Sequence, residues 1–336
     1  MRGTAMRVAL LVGVIGAMVG GSAPGVSAQT PSGGKRFEPA RTPAGKPDLQ
    51  GTWSYSSATP LERPAAVKDK AVLSEAEAAA FIKQSEAQRA LFDAPRSGDV
   101  GAYNGFWLEF GKMSPDRRTG LITDPPDGQL PPMTPEAEKR TQAHKDQLAR
   151  PADGPEQRDA SERCILGYNA GPPMSPVIGY NQNMQLIQTR DTVVLFMEMV
   201  HDARIVPLTS KPALPAHIRP WMGDSRGRWD GDTLVVQTTN FTDKVWSQYS
   251  GWNWASDENM KLTERFTLVG PDTLRYEFTV DDPTVWTRPW SAMYYLSRTQ
   301  EQMFEYACHE ANHGMVGILR GARGMEGSAL DKAKTP

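Results

Sequence analysis

Glu264 sits in the apolar register of a strand-like run, sharing one parity with Leu262, Phe266 and Leu268. Successive strand side chains point to opposite faces, so this carboxylate is aimed at a core or a hollow. Unpaired and out of water it would cost several kcal/mol or so, and the position therefore demands a cation, a proton or a wet pocket. A second charged stretch surrounds Glu198. In an unbroken strand Val194, Phe196, Glu198, Val200, Asp202, Arg204 and Val206 share one face and His201 the other. Asp202 and Arg204 would then be same-face neighbours, either a structural ion pair or a carboxylate held ionised for work; a bulge at His201 would change which side chains converge. Arg288 shares a parity with Trp286 and Trp290, where a guanidinium can stack and still offer donors, or simply answer Glu264 across the sheet. Tyr180, Asn181 and Asn183 lead into a strand with phenol and amide groups that either orient a small ligand or build a turn.

The run His309-Glu310-Ala311-Asn312-His313 places two imidazoles four residues apart. On one helix they could hold zinc, with Glu310 as base toward a metal-bound water. Gly314 and Gly317 follow closely, the preceding Met303 to Ala307 reads as a strand, and a third ligand is not evident. No metal is therefore expected, and His309 reads as a proton carrier or a structural hydrogen-bonding group. The chain has two cysteines, Cys164 and Cys308. In an oxidising compartment they are expected to be joined, the other reading being two buried thiols. A bond would bring Glu162, Arg163 and Tyr168 near His309 and Glu310.

The elements that must carry these groups follow from pattern. Residues 1–28 read as a removable export signal: Arg2 and Arg7, an apolar stretch from Val8 to Val19, and Val26-Ser27-Ala28 before Gln29. The apolar stretch is shorter than the ~20 residues of a spanning helix, so no membrane anchor is expected after cleavage. Residues 29–46 read as a flexible arm. Residues 47–160 hold a first strand, two helices and wrapping loops. Ser74 and Glu77 have capping-box spacing, Thr134 and Pro135 open the second helix, and a Gly-, Pro- and aromatic-rich stretch with Tyr103, Phe106, Trp107 and Phe110 lies between. Residues 161–325 read as β structure, with strands at Met184 to Gln188, Thr192 to Val200, Arg204 to Leu208, Leu234 to Phe241, Leu262 to Val269, Thr273 to Val280 and Val285 to Leu296. Residues 326–336 read as a loose tail. Sequential hairpins with one apolar face predict a mainly β fold, a lipocalin-like antiparallel up-and-down barrel with an N-terminal helical and irregular extension, because closure removes exposed edges.

The segments Pro47-Asp48-Leu49-Gln50-Gly51-Thr52-Trp53, Asp124-Pro125-Pro126-Asp127-Gly128, Ser161-Glu162-Arg163-Cys164, His201-Asp202-Ala203-Arg204, Gly223-Asp224-Ser225-Arg226-Gly227-Arg228-Trp229 and Tyr306-Ala307-Cys308-His309-Glu310 together resemble a widespread family of exported, functionally uncharacterised bacterial proteins. The resemblance spans nearly the whole chain after the leader. It implies export and no particular activity. The family tail resembles Cys-His-Glu-Gly-Asn-Tyr, whereas this chain has Ala311 and His313.

Formal net charge is −2, and loss of Arg2 and Arg7 makes the remainder more acidic, which argues against a nucleic-acid partner. No dinucleotide fingerprint or haem-attachment motif is present, so no cofactor is expected. These features predict a periplasmic or secreted, metal-independent enzyme acting by acid/base chemistry on a small apolar or aromatic molecule, as a lyase, isomerase or hydrolase. In it His201 or His309 moves a proton, Asp202 or Glu310 orients the imidazole, and Arg204 stabilises negative charge; Tyr180, Asn181, Asn183, Glu264, Trp286 and Arg288 line the site. The alternatives are a lipocalin-like carrier of an apolar ligand and a zinc-dependent hydrolase using His309, Glu310 and His313.

Overall fold

The computed structural model describes residues 37–93, 108–176, 179–210, 212–244, 248–249, 252–253, 258–310 and 312–333. The expected leader, the first part of the expected arm, and Tyr103, Phe106 and Trp107 lie outside the described residues. From Pro39 onward the chain forms one unit. Its elements are β1 (Gly51–Ser54), α1 (Glu75–Asp93), β2 (Ile122–Asp124), α2 (Pro135–Leu148), β3 (Asn183–Gln188), β4 (Thr192–Met197), β5 (Ala203–Pro207), β6 (Asp224–Asp230), β7 (Thr233–Thr239), β8 (Gln248–Tyr249), β9 (Trp252–Asn253), β10 (Lys261–Gly270), β11 (Thr273–Asp281), β12 (Trp290–Thr299) and α3 (His313–Ala333).

Ten strands form one antiparallel sheet in the order β5-β4-β3-β1-β12-β11-β10-β7-β6, with β2 added on β12; β8 and β9 pair separately. Most neighbours are sequential hairpins, as the alternation dictates. The exception is β1, which joins the two halves by pairing with both β3 and β12. Alternate residues make one face apolar: Leu262, Phe266 and Leu268 on β10 align with Val280, Tyr276 and Leu274 on β11, all buried. Trp53, Met184 and Leu195 extend that face toward β5. The expected helix signals are used. Ser74 and Glu77 form the capping box, and Thr134 Oγ1 accepts from Ala137 N at 3.2 Å ahead of Pro135.

Several expectations need correction. The strand from Thr192 stops at Met197, because Val200 and His201 take left-handed backbone conformations (φ 59° and 45°) and turn the chain into β5. Leu195 then faces Arg204 across the hairpin. Arg204 and Val206 therefore share the interior face with Val193, Leu195 and Met197, opposite to the parity of an unbroken strand. The last long strand begins at Trp290, so Trp286 and Arg288 precede it. Met303 to Ala307 has no regular structure, and the expected loose tail belongs to α3, which runs to Ala333. Five glycines in that helix, each worth about 1 kcal/mol against helix formation, hide it from pattern reading.

The sheet is not closed: no ladder joins its two end strands, β5 and β6. The ends nonetheless touch through side chains. A methyl group placed on Gly227 of β6 would fall 2.6 Å from Leu208 Cδ2 and 2.9 Å from Val206 Cγ1. Absence of a side chain at Gly227 is what lets the edges approach.

Candidate functional site

Inside the curled sheet, Arg204 Nη2 of β5 lies 2.8 Å from Glu264 Oε2 of β10, with the side chains 8 % and 0 % exposed. The contact is a charge pair and not an aligned hydrogen bond, since Glu264 Oε2 and Arg204 Nε make none within the protein. The other oxygen is well served: Tyr276 Oη donates to Glu264 Oε1 at 2.7 Å. Tyr276 Oη in turn accepts from Met174 N at 3.2 Å, and Tyr294 Oη donates to Met174 O at 3.1 Å. Burial first, and the Glu264 charge second, push both phenols well above the usual tyrosine range.

This network answers the demand made by Glu264 without a ligand. Its cation is Arg204, not Arg288. Arg288 is half-exposed and pairs instead with Asp124 at 2.7 Å. Pro173, Met174, Ser175 and Pro176 are buried, and the main chain at Met174 bonds both phenols, so this segment occupies ground in front of the apolar face.

A different set of groups lies at the end of the sheet where β3 begins and β4 ends. Glu198, 3 % exposed, accepts from Asn183 Nδ2 on Oε2 and from Phe304 N on Oε1, both at 2.8 Å. Two donors on separate oxygens fix the position of this carboxyl group. Gln182, the residue before Asn183, presents its N–H to Glu109 Oε2 at 3.2 Å and its side-chain amide to Glu109 O at 3.2 Å. Consecutive residues of the chain thus hold both carboxylates. Glu109 is fixed further by its own N–H, which donates to Gly179 O at 2.6 Å. Burial, assisted by the charges of Glu198 and Glu301 and opposed by hydrogen bonds from Gln182 and Asn181, raises its pKa to about 7.

Aromatic rings flank this pair. Tyr180 stacks on Tyr306 (centroids 6.0 Å apart, planes at 29°) and meets Tyr168 edge-on at 5.8 Å. All three are half-buried. Tyr55, fully buried, reaches Asn181 O at 3.4 Å. Burial, then Tyr294 and then Glu109, raises its pKa, which places Tyr55 between the interior network and the carboxylates. The Cys164–Cys308 disulfide, with Cα atoms 5.6 Å apart, ties the segments that carry Tyr168 and Tyr306. Non-glycine residues at positive φ gather here: Cys164, Asn181, Val200 and His201. Such backbone costs about 1–3 kcal/mol per residue and concentrates where function over-determines geometry.

Asn183 and Tyr180 join this site by side chain, and Asn181 by its main chain. The other expected residues are scattered. His201, His309, Glu310 and His313 are exposed. His313 begins α3, so the two imidazoles of the zinc reading do not share a helix turn, and among the described residues no three His, Cys, Asp or Glu side chains converge on a metal position. Asp202, partly buried, has its pKa raised to about 6 by burial, with His201 pulling it down; it does not pair with Arg204. Trp286 is buried edge-on against Trp290. Sequence reading missed Glu109, Glu198, Tyr168 and Tyr306 as site residues, although it noted the charge at Glu198. The available signal was a lone acid within the aromatic run ending at Phe110.

The arrangement offers an acid whose pKa is raised to about 7 beside a second carboxyl group fixed by two donors, parts suited to proton transfer near neutrality. No protein-family model, curated protein or solved structure matches the chain.

Proposed function

We propose that the protein is an exported acid/base enzyme acting on a small aromatic or apolar molecule, with Glu109 as the group that gives and takes the proton. The observation that carries this reading is the placement of Glu109 and Glu198 by consecutive residues Gln182 and Asn183, beside three half-buried tyrosines. Glu198, fixed by two donors, is the second carboxylate of the pair and stabilises positive charge developing on the substrate. Tyr180 and Tyr306 offer ring faces against which an apolar or aromatic body can lie. The histidines of the sequence reading are set aside because they are exposed, whereas Glu109 and Glu198 are held by buried partners. Hydrolase, lyase and isomerase steps all use such parts.

The curled sheet is read as a lipocalin-like barrel whose last seam is closed by side-chain contact at Gly227. The periplasm or the cell exterior suits the Cys164–Cys308 bond. In the carrier reading the apolar hollow would hold the ligand, but Pro173 to Pro176 stand in it, which favours the rim and the enzyme.

The test is turnover of nitrophenyl esters and nitrophenyl glycosides by the disulfide-intact protein between pH 5 and 9. Release of nitrophenolate that declines above about pH 7, as Glu109 loses its proton, and that drops roughly 10²–10⁴-fold in Glu109→Gln, is the expected result. Turnover indifferent to Glu109→Gln would overturn the assignment. Ligands bound tightly and recovered unchanged would establish the carrier.

A further inference from the structure

Two buried amides, one bonded to Glu109 and one to Tyr180, each donate a hydrogen bond and leave their oxygen without a partner. Gln182, 0 % exposed, gives its side-chain N–H to Glu109 O, and Oε1 on the same amide has no partner. Asn169, also 0 % exposed, repeats the pattern: Nδ2 donates to Tyr180 O at 3.2 Å while Oδ1 is unpartnered. One buried carbonyl oxygen on a residue bonded to Glu109 and one on a residue bonded to Tyr180 therefore lack a donor, and a buried acceptor left unmatched is costly.

The electrostatics run the same way. Among the described residues none of Glu109, Glu198 and Glu301 is in an ion pair, and the charges that bear on Glu109 are those of Glu198 and Glu301, both negative. The tyrosine rings add the negative faces of their π systems. A carboxylate or phosphate ligand would be repelled by every one of these groups.

From this we infer that the site around Glu109, Glu198, Tyr180 and Tyr306 takes an organic cation, a substituted ammonium on a small apolar or aromatic body. The ammonium supplies the missing positive charge, its N–H or polarised C–H groups meet the unpartnered amide oxygens, and its methyl or methylene shell lies on the tyrosine faces. This deepens the enzyme reading by naming its substrate class and rests on the same site, but it concerns binding and holds whether or not the bound molecule is turned over.

The experiment is calorimetric titration of the disulfide-intact protein with benzylammonium and benzyltrimethylammonium, against benzyl alcohol, phenyl glucoside and benzoate. The two cations are expected to bind at least tenfold more tightly than the neutral compounds, with no binding of benzoate, and with affinity falling as salt is raised. Tyr306→Leu should weaken the cations more than the neutral compounds, since both lose the ring face and only the cations lose its attraction for charge, and Glu301→Gln should weaken the cations and leave the neutral compounds unchanged; Glu301 is exposed, so its variant keeps the test available if the tyrosine variant does not fold. Equal affinity for benzyl alcohol and benzylammonium, preference for the glucoside, or binding of benzoate would overturn the inference. Cation binding without turnover of any amine would leave it standing and remove the enzyme reading; turnover of neutral substrates without cation preference would do the reverse.

Discussion

Arg204 and Glu264 meet 2.8 Å apart across the interior although β5 and β10 are six strands distant along the ladder. The shorter route between them crosses the open seam between β5 and β6. The pair is therefore a clasp that holds the two ends of the sheet toward each other, and Tyr276 keeps the carboxylate end in place.

Removing one half of the clasp should leave the other charge buried and unpaired. Arg204→Met and Glu264→Leu are each expected to cost about 3–5 kcal/mol in urea unfolding, whereas the double variant, with no charge left, should recover most of that loss. If the double variant is as unstable as the worse single one, the pair is not what holds the seam.

At Gly227 the seam is held by shape. Gly227→Ala sets a methyl 2.6 Å from Leu208 Cδ2 and 2.9 Å from Val206 Cγ1. Overpacking of this kind costs about 1–3 kcal/mol, offset by up to ~1 kcal/mol from the stiffer unfolded chain. Net destabilisation with faster hydrogen exchange confined to β5 and β6 is the expected signature; unchanged exchange there would mean that the edges do not depend on this contact.

Alternation made the hairpin of β10 and β11 legible, because each inward position is apolar except Glu264 and each turn carries its own Gly, Asp or Pro. The same logic failed at Val200 and His201, since a β-branched residue is the last one expected at positive φ, and an error of register there inverted the face assigned to Arg204. β6 escaped because its residues are mostly charged or small; Gly231-Asp232 is a two-residue turn that needed a strand on both sides. The disulfide followed from two cysteines and compartment chemistry. Glu109 was not legible, as a carboxylate in an aromatic loop acquires meaning only when Gln182 and Gly179, some 70 residues away, are placed beside it.

The disulfide closes a loop of 144 residues, which by chain entropy contributes about 5 kcal/mol. Cys164→Ala with Cys308→Ala should lower stability by an amount approaching that figure. The unstructured stretch before Cys308 should also loosen, since its remaining ties include the Phe304 N–H on Glu198 and the Tyr180–Tyr306 stack. Proteolysis in residues 300–310 of the variant, at sites the native protein resists, checks this; resistance equal to the native protein would show that those ties suffice alone.

Stability should fall as pH rises from about 4 to 7. Burial raises Glu109 and Asp159 to about 7 and Asp202 to about 6, each above its unfolded value. A carboxyl whose folded pKa is raised costs nothing while both states are protonated, and it penalises the fold once the unfolded chain ionises first. Glu77, lowered to about 2 chiefly by its hydrogen bond to Lys70, contributes stability that is full well above its ordinary value of 4.5 and is lost as pH falls toward 2, so it opposes the trend at the acid end of this window and is constant over the rest. His144, facing Asp159 at 3.5 Å and lowered by burial, works against the trend below its ordinary value of 6.5. Glu109→Gln isolates one contribution, because an amide cannot ionise. The variant should lose less thermal stability than the native protein between pH 5 and 8, and the difference between the two melting curves should grow through pH 4.5–7 and then level off. A difference that is flat across that range would place the Glu109 carboxyl at its ordinary pKa and remove it as the proton carrier of the site.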